Sequence, residues 1–171
     1  DEAARDAVCQ AFSQMYQENA ADFPTSTKEV DYFQRMRSCY PIHPEIFDRL
    51  YEDWATIERF QKTRGVLRLM AAVVHNLWMN QDGGLLIMPG SVSLDVSNIR
   101  DELTRHVGEN WNAIVDHEVD GKSSIPYQED QEIPRFGKLM AARRVARTIM
   151  LGSAPSTRSD SIRGLETSRI R

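Results

Sequence analysis

The 171-residue sequence has little cysteine: Cys9 and Cys39 stand far apart and outside any CxxC pattern. That scarcity excludes a disulfide framework and a thiolate zinc site, and it points to reduced thiols in a cytoplasmic protein. A secretory leader is lacking as well, since the chain opens DEAARDAV, acidic and without an apolar run. The greasiest stretch, Thr63 to Asn80, contains Arg64, Arg68 and His75, so it makes a poor membrane span and no membrane partner is expected. Neither an internal repeat nor a low-complexity tract is visible. Beginning at Asp1 and stopping at Arg171, the sequence reads as a piece of a longer chain.

Catalytic motifs are missing too. Gly121-Lys122-Ser123 imitates the end of a phosphate-binding loop, but the glycine that such a loop needs five positions earlier is Asp116. No GxSxG occurs. His43, His75, His106 and His117 have no metal-ligand spacing, and the His-x-Glu at 43–45 is not followed by PCxxC, so no metal is expected. Helix capping and surface hydrogen bonding are the roles predicted for His43 and His117. The chain alone is expected to be catalytically inactive.

What is present is an ordinary globular composition, 41% hydrophobic and 27% charged, enough for one domain with a real core. The net charge of −4 hides an asymmetry: residues 131–171 carry nine Lys or Arg against three acids, whereas 1–130 carry 12 against 22. A basic end can bind phosphate, or it can be a solvated helix face paired with acidic neighbours.

Helical periodicity dominates the chain. Residues 2–17 repeat apolar side chains at helical spacing behind Asp1 as N-cap. Ser26, in capping-box spacing with Glu29, predicts a helix through Cys39. Pro44 fits the first turn of a third helix carrying Ile46, Phe47, Leu50, Tyr51 and Trp54. LLIMPG at 85–90 reads as a small strand or an extended loop, and Ser97 as the cap of a helix with Ile99, Leu103 and Val107. Trp111, Ile114 and Val115 suggest a short helix, and the polar, proline-punctuated 120–134 a surface loop. A last helix is predicted over about 135–151, with Leu139, Ala142, Val145, Ala146 and Ile149 inward and Arg143, Arg144 and Arg147 on the opposite side. The three tryptophans, Trp54, Trp78 and Trp111, read mainly as core.

The organising element is the helix at 63–80, apolar almost all the way round and therefore expected to be buried at the centre. Arg64, Arg68 and His75 fall on one side of it. An unpaired guanidinium inside a protein is costly, so these arginines require either a structural carboxylate, with Asp48, Glu52 or Asp53 as candidates, or a ligand phosphate. The expected fold is an all-α bundle of about seven helices around this rod. One domain covers 1–155, and a tail covers 156–171.

Four segments carry a resemblance: YPIHPEIFDRLYEDW at 40–54, RFQKTRGVLRLMAAVVHNLW at 59–78, LLIMPG at 85–90 and RFGKLMAARRVARTIMLGSAP at 135–155. They resemble a family of very large prokaryotic predicted ATPases of the AAA+ superfamily, found beside DNA methylases and helicases in phage-defence or restriction-like loci. Gly65-Val66-Leu67-Arg68 is similar to the Gly-x-x-Arg of the sensor-2 helix in AAA+ lids. The resemblance thus implies a lid-like domain in which Arg68, with Arg64 as a second candidate, meets the phosphates of ATP. It implies that ATP with magnesium is held by an upstream core of the same polypeptide, with further copies, DNA, methylase or helicase as partners. The competing expectation is a helical nucleic-acid or protein-interaction module that uses Arg143, Arg144 and Arg147.

Overall fold

The computed structural model describes residues 1–57, 60, 62–107 and 110–155. The expected tail, 156–171, lies outside the described residues. Among those described, the chain is all-helical: α1 (Glu2–Glu18), α2 (Val30–Cys39), α3 (Pro44–Asp48), α4 (Lys62–Met79), α5 (Ser97–Val107), α6 (Trp111–Ile114), α7 (Ile125–Glu132), α8 (Pro134–Gly137) and α9 (Ala141–Ser153). The extended pairing described is a single parallel bridge, Ile42 to Ile87, in which the His43 N–H donates to Ile87 O and the Ile87 N–H to Pro41 O. LLIMPG is therefore the extended option of its two sequence readings. No described helix is long and apolar enough to cross a membrane.

Local chemistry accounts for the starts of α1 and α3. The Asp1 carboxylate accepts from the Ala3 N–H at 3.0 Å, meeting one of the orphan donors of α1. Pro44 occupies the first turn of α3, and His43 Nδ1 accepts the Glu45 N–H there. After Asp48 the helix continues as a wider turn, Arg49–Asp53, and a tight one, Trp54–Thr56, reaching the expected end. Ser26 is not a helix cap: Thr25–Lys28 form a separate tight turn, and α2 begins at Val30 without a side-chain cap.

The extra helices come from two places. The stretch 120–134 is not a surface loop: it contains α7, started by Ser124 Oγ accepting the Tyr127 N–H, and Asp120, Ser124 and Asp130 are buried. The expected 135–151 helix is divided at Met140, whose left-handed backbone (φ 51°) separates α8 from α9.

Two apolar clusters form. The larger joins Ile46, Leu50 and Trp54 to Val66, Leu69 and Val73 of α4, Ile99 and Leu103 of α5, and Met150 and Leu151 of α9. Trp54 anchors it twice, by complete burial and by its indole N–H donating to Leu151 O at 2.8 Å. The smaller gathers Cys9 and Tyr16 of α1, Met36 of α2, and Leu86; Cys9 and Cys39 are free thiols.

The helix expected at the centre is at the surface. α4 sends Val66, Leu69, Met70 and Val73 inward, while Leu67 is 64% exposed and Trp78 81% exposed, so Trp78 is not core. An all-round apolar sequence cannot reveal which side meets the domain's own core, because both sides satisfy the same period. α9 corrects a phase as well. Arg147, Met150 and Leu151 face in, whereas Leu139, Val145 and Ile149 are exposed.

One turn is tight enough to test. The Asp120 and Gly121 N–H groups both donate to Val115 O, folding the chain back so that a Cβ on Gly121 would lie 2.0 Å from Asp116 O. Backbone cannot yield as a flexible side chain does, so Gly121→Ala is expected to destabilise by about 3 kcal/mol, at the upper end of overpacking costs. Urea unfolding reads this directly, and a variant as stable as the parent would contradict the turn geometry.

Candidate functional site

Arg68 projects from the outer face of α4, where its side chain is 55% exposed and bonds Glu102 of α5 at 2.7 Å. Glu102 also binds Arg105 at 2.9 Å and is itself only 11% exposed. The carboxylate that meets Arg68 is thus on a helix later in the sequence; Asp48 holds Arg35, and Glu52 and Asp53 hold Arg49. Arg68 is paired but not sealed. Its side chain is half open to solvent, and it shares its anion with a second arginine. Arg64 is exposed one turn earlier on α4, with no ion pair among the described residues. His75 is exposed farther along. Gly65 is buried, and its close approach is to the Phe60 ring, which a Cβ would meet at 3.3 Å. Around these cations the outer face of α4 presents Leu67, Val74, Trp78 and Met79.

The three arginines of α9 do not form an outward basic face. Arg147 is 3% exposed and makes a two-pronged contact with Asp120, Nε to Oδ2 and Nη2 to Oδ1, both at 2.7 Å. Asp120 also accepts the Leu94 and Asp95 N–H groups. Burial pushes its carboxyl above the ordinary range, while Arg147 pulls it the other way. Arg143 donates to Asp130, whose carboxylate is wholly buried and also accepts the Ala142 and Arg143 N–H groups. That carboxylate caps α9 from α7, where Met140 supplies no side-chain cap of its own. The Arg143 guanidinium also lies over the Tyr127 ring at 5.0 Å. Arg144 has one long contact, 3.4 Å to Asp82. Two of the three charges are therefore neutralised inside the domain. The partners, Asp120 and Asp130, are far upstream in a segment that looks polar and looped, and nothing in the helix's own periodicity discloses them.

His43 is buried, contrary to a surface role. The cap it forms for α3 fixes Nδ1 as acceptor, so its proton sits on Nε2, which bonds Tyr16 Oη at 2.9 Å. Burial pushes the His43 imidazole down to about 4 and raises the Tyr16 phenol. Sequence reasoning finds the cap, through Pro44 at the first turn, but not the Tyr16 bond, which spans 27 residues. His117 is exposed near Ser123 Oγ at 3.5 Å. Among the described residues, no group of three or more His, Cys, Asp or Glu is placed to hold a metal.

Among the described residues these elements form an all-helical domain with two exposed arginines, Arg64 and Arg68, on the apolar outer face of α4. By its sequence, the chain belongs to the family described as the DUF499 second domain, whose model matches residues 4–168. No curated protein and no solved structure matches it.

Proposed function

We propose that this domain is the helical lid of an AAA+-type ATPase, with Arg68 in the sensor-2 role and Arg64 as its neighbour on the same face. The observation that carries the reading is the state of Arg68: half open to solvent, on an outer apolar helix face, and tethered by one carboxylate that it shares with Arg105. A guanidinium so held can exchange Glu102 for a phosphate oxygen without exposing core. An arginine sealed within the bundle could not. Leu67, Val74 and Trp78 around it suit docking against the nucleotide-holding core of the same polypeptide.

In this reading ATP with magnesium, held by a Walker-type core upstream, supplies the phosphoanhydride. Arg68 contributes fixed positive charge where negative charge gathers on the terminal phosphate. Its planar fork gives two parallel donors, which favours one orientation of lid to nucleotide. Glu102 keeps the side chain extended toward that position when no phosphate is there. A cytoplasmic setting in a phage-defence or restriction-like system, with DNA, methylase or helicase partners and further copies of the ATPase, goes with the same proposal.

The test is Arg68→Ala in the full-length ATPase. Turnover is expected to fall about 10²-fold, the scale for removing one preorganised donor to developing charge. Stability should change by less than about 1 kcal/mol, because an exposed ion pair contributes little. Unchanged turnover together with unchanged nucleotide affinity removes the assignment.

A further inference from the structure

A second candidate site shares no residue with the face around Arg68 and is independent of the ATPase reading. A cleft of about 300 Å³ opens between α1 and α9. One wall is aromatic: Phe12, Tyr16, Phe23 and Tyr32 line it, with Tyr16 edge-on to Phe23 at 4.9 Å and to Tyr32 at 6.1 Å. Met15 and Met88, which adapt to irregular shapes, complete the apolar lining. The opposite rim is α9, through Arg144, Val145 and Thr148. The cleft thus lies where the smaller apolar cluster meets the rest of the domain, a common position for a ligand pocket, and its size and mixture of rings with few polar groups fit a small molecule.

The polar groups around it determine what charge it takes. His43 is neutral at physiological pH, and both its nitrogens are engaged. Glu45 is buried, with Arg49 Nε 3.1 Å from its Oε1. The Thr27 and Thr148 hydroxyls donate to backbone carbonyls of Pro24 and Arg144. Arg144 differs. Its one ion pair among the described residues is long, 3.4 Å to an aspartate outside the cleft lining, its side chain is a third exposed, and its buried Nε–H has no acceptor among the described residues. A partly exposed guanidinium held by one long contact keeps donors for a second carboxylate brought by a ligand.

We infer that this cleft binds a small aromatic acid, its ring system among Phe12, Tyr16, Phe23 and Tyr32 and its carboxylate on Arg144. The rings supply flat surface with edge and face contacts. Arg144 supplies both charge and direction. A cationic ligand of the same shape meets the guanidinium with the wrong sign and is rejected.

The experiment is calorimetric titration of the protein with 2-naphthoate and with its charge-reversed analogue 2-naphthylmethylammonium. One saturable site for the acid is expected, at least about tenfold tighter than for the ammonium compound. Arg144→Gln should weaken the acid about tenfold or more while leaving the melting temperature of the free protein within a few degrees. Phe12→Ala should weaken it as well. Trp78→Ser removes the largest exposed ring on α4 and should leave binding unchanged, which separates this cleft from the outer apolar face. The inference is overturned if the acid binds Arg144→Gln as well as the parent, if the ammonium analogue binds equally, if Trp78→Ser abolishes the signal, or if the folded protein shows no saturable binding at millimolar concentration.

Discussion

Asp120→Ala is expected to cost about 3–5 kcal/mol, the range for removing one partner of a buried pair. The carboxylate accepts from Arg147 twice at 2.7 Å and from the Leu94 and Asp95 backbone, so its removal strands a buried guanidinium and two amide donors. Against a total stability of about 5–15 kcal/mol for a typical domain, the variant should be close to unfolding at room temperature. Chemical denaturation measures the loss. The double variant Asp120→Ala with Arg147→Met should recover much of it, because a buried ion pair replaced by apolar groups is often neutral. A loss under about 1 kcal/mol for Asp120→Ala would mean that the pair is solvated.

The second large effect is with pH. His43 titrates at about 4 in the folded protein against 6.5 ordinarily, because burial disfavours the imidazolium; Asp48 opposes that shift and Arg35 adds to it. Between those values the unfolded chain holds more protons on this group than the native one, so stability rises with pH. The contribution is complete above pH 6.5 and is lost as pH falls toward 4, about 3 kcal/mol in all. Asp120 acts oppositely, since its raised carboxyl favours the folded state on protonation. Asp6, held down to about 2 first by Arg37 and then by Arg5, loses its stabilisation only below this window. Urea midpoints from pH 7.5 to 4.5 should show the decline, and His43→Asn should flatten it. Parent and His43→Asn curves of the same slope across that range exclude a neutral, buried His43.

Much of this architecture was legible in the sequence wherever the deciding interaction is local. α1 announces itself through Asp1 and an unbroken apolar repeat, and α3 through Pro44. The all-α class follows from such periods. The failures at the arginines share one physical cause, dependence on groups far away in sequence. Arg143 and Arg147 face inward because Asp130 and Asp120 are waiting there, and the segment bearing those aspartates looks like solvent-exposed loop until its partners are known. α4 looks central because both its sides are greasy, and composition cannot say that one side lies open. The candidate residue Arg68 was found by pattern, but its partner Glu102 was not among the carboxylates that proximity in sequence suggested. The aromatic cleft had no signature in the chain at all, since its rings and Arg144 are brought together only by folding.

The two apolar clusters have a consequence for how the molecule comes apart. α1 packs on α2 and the turn at Thr25–Lys28, and the cleft runs along the seam between this pair and the remainder. Heat need not melt such a body in one event. The leading helical pair can peel away while the larger portion persists, so calorimetric and van't Hoff enthalpies would disagree. An occupant gripping both banks of the seam would act as a rivet, fusing two softening steps into one.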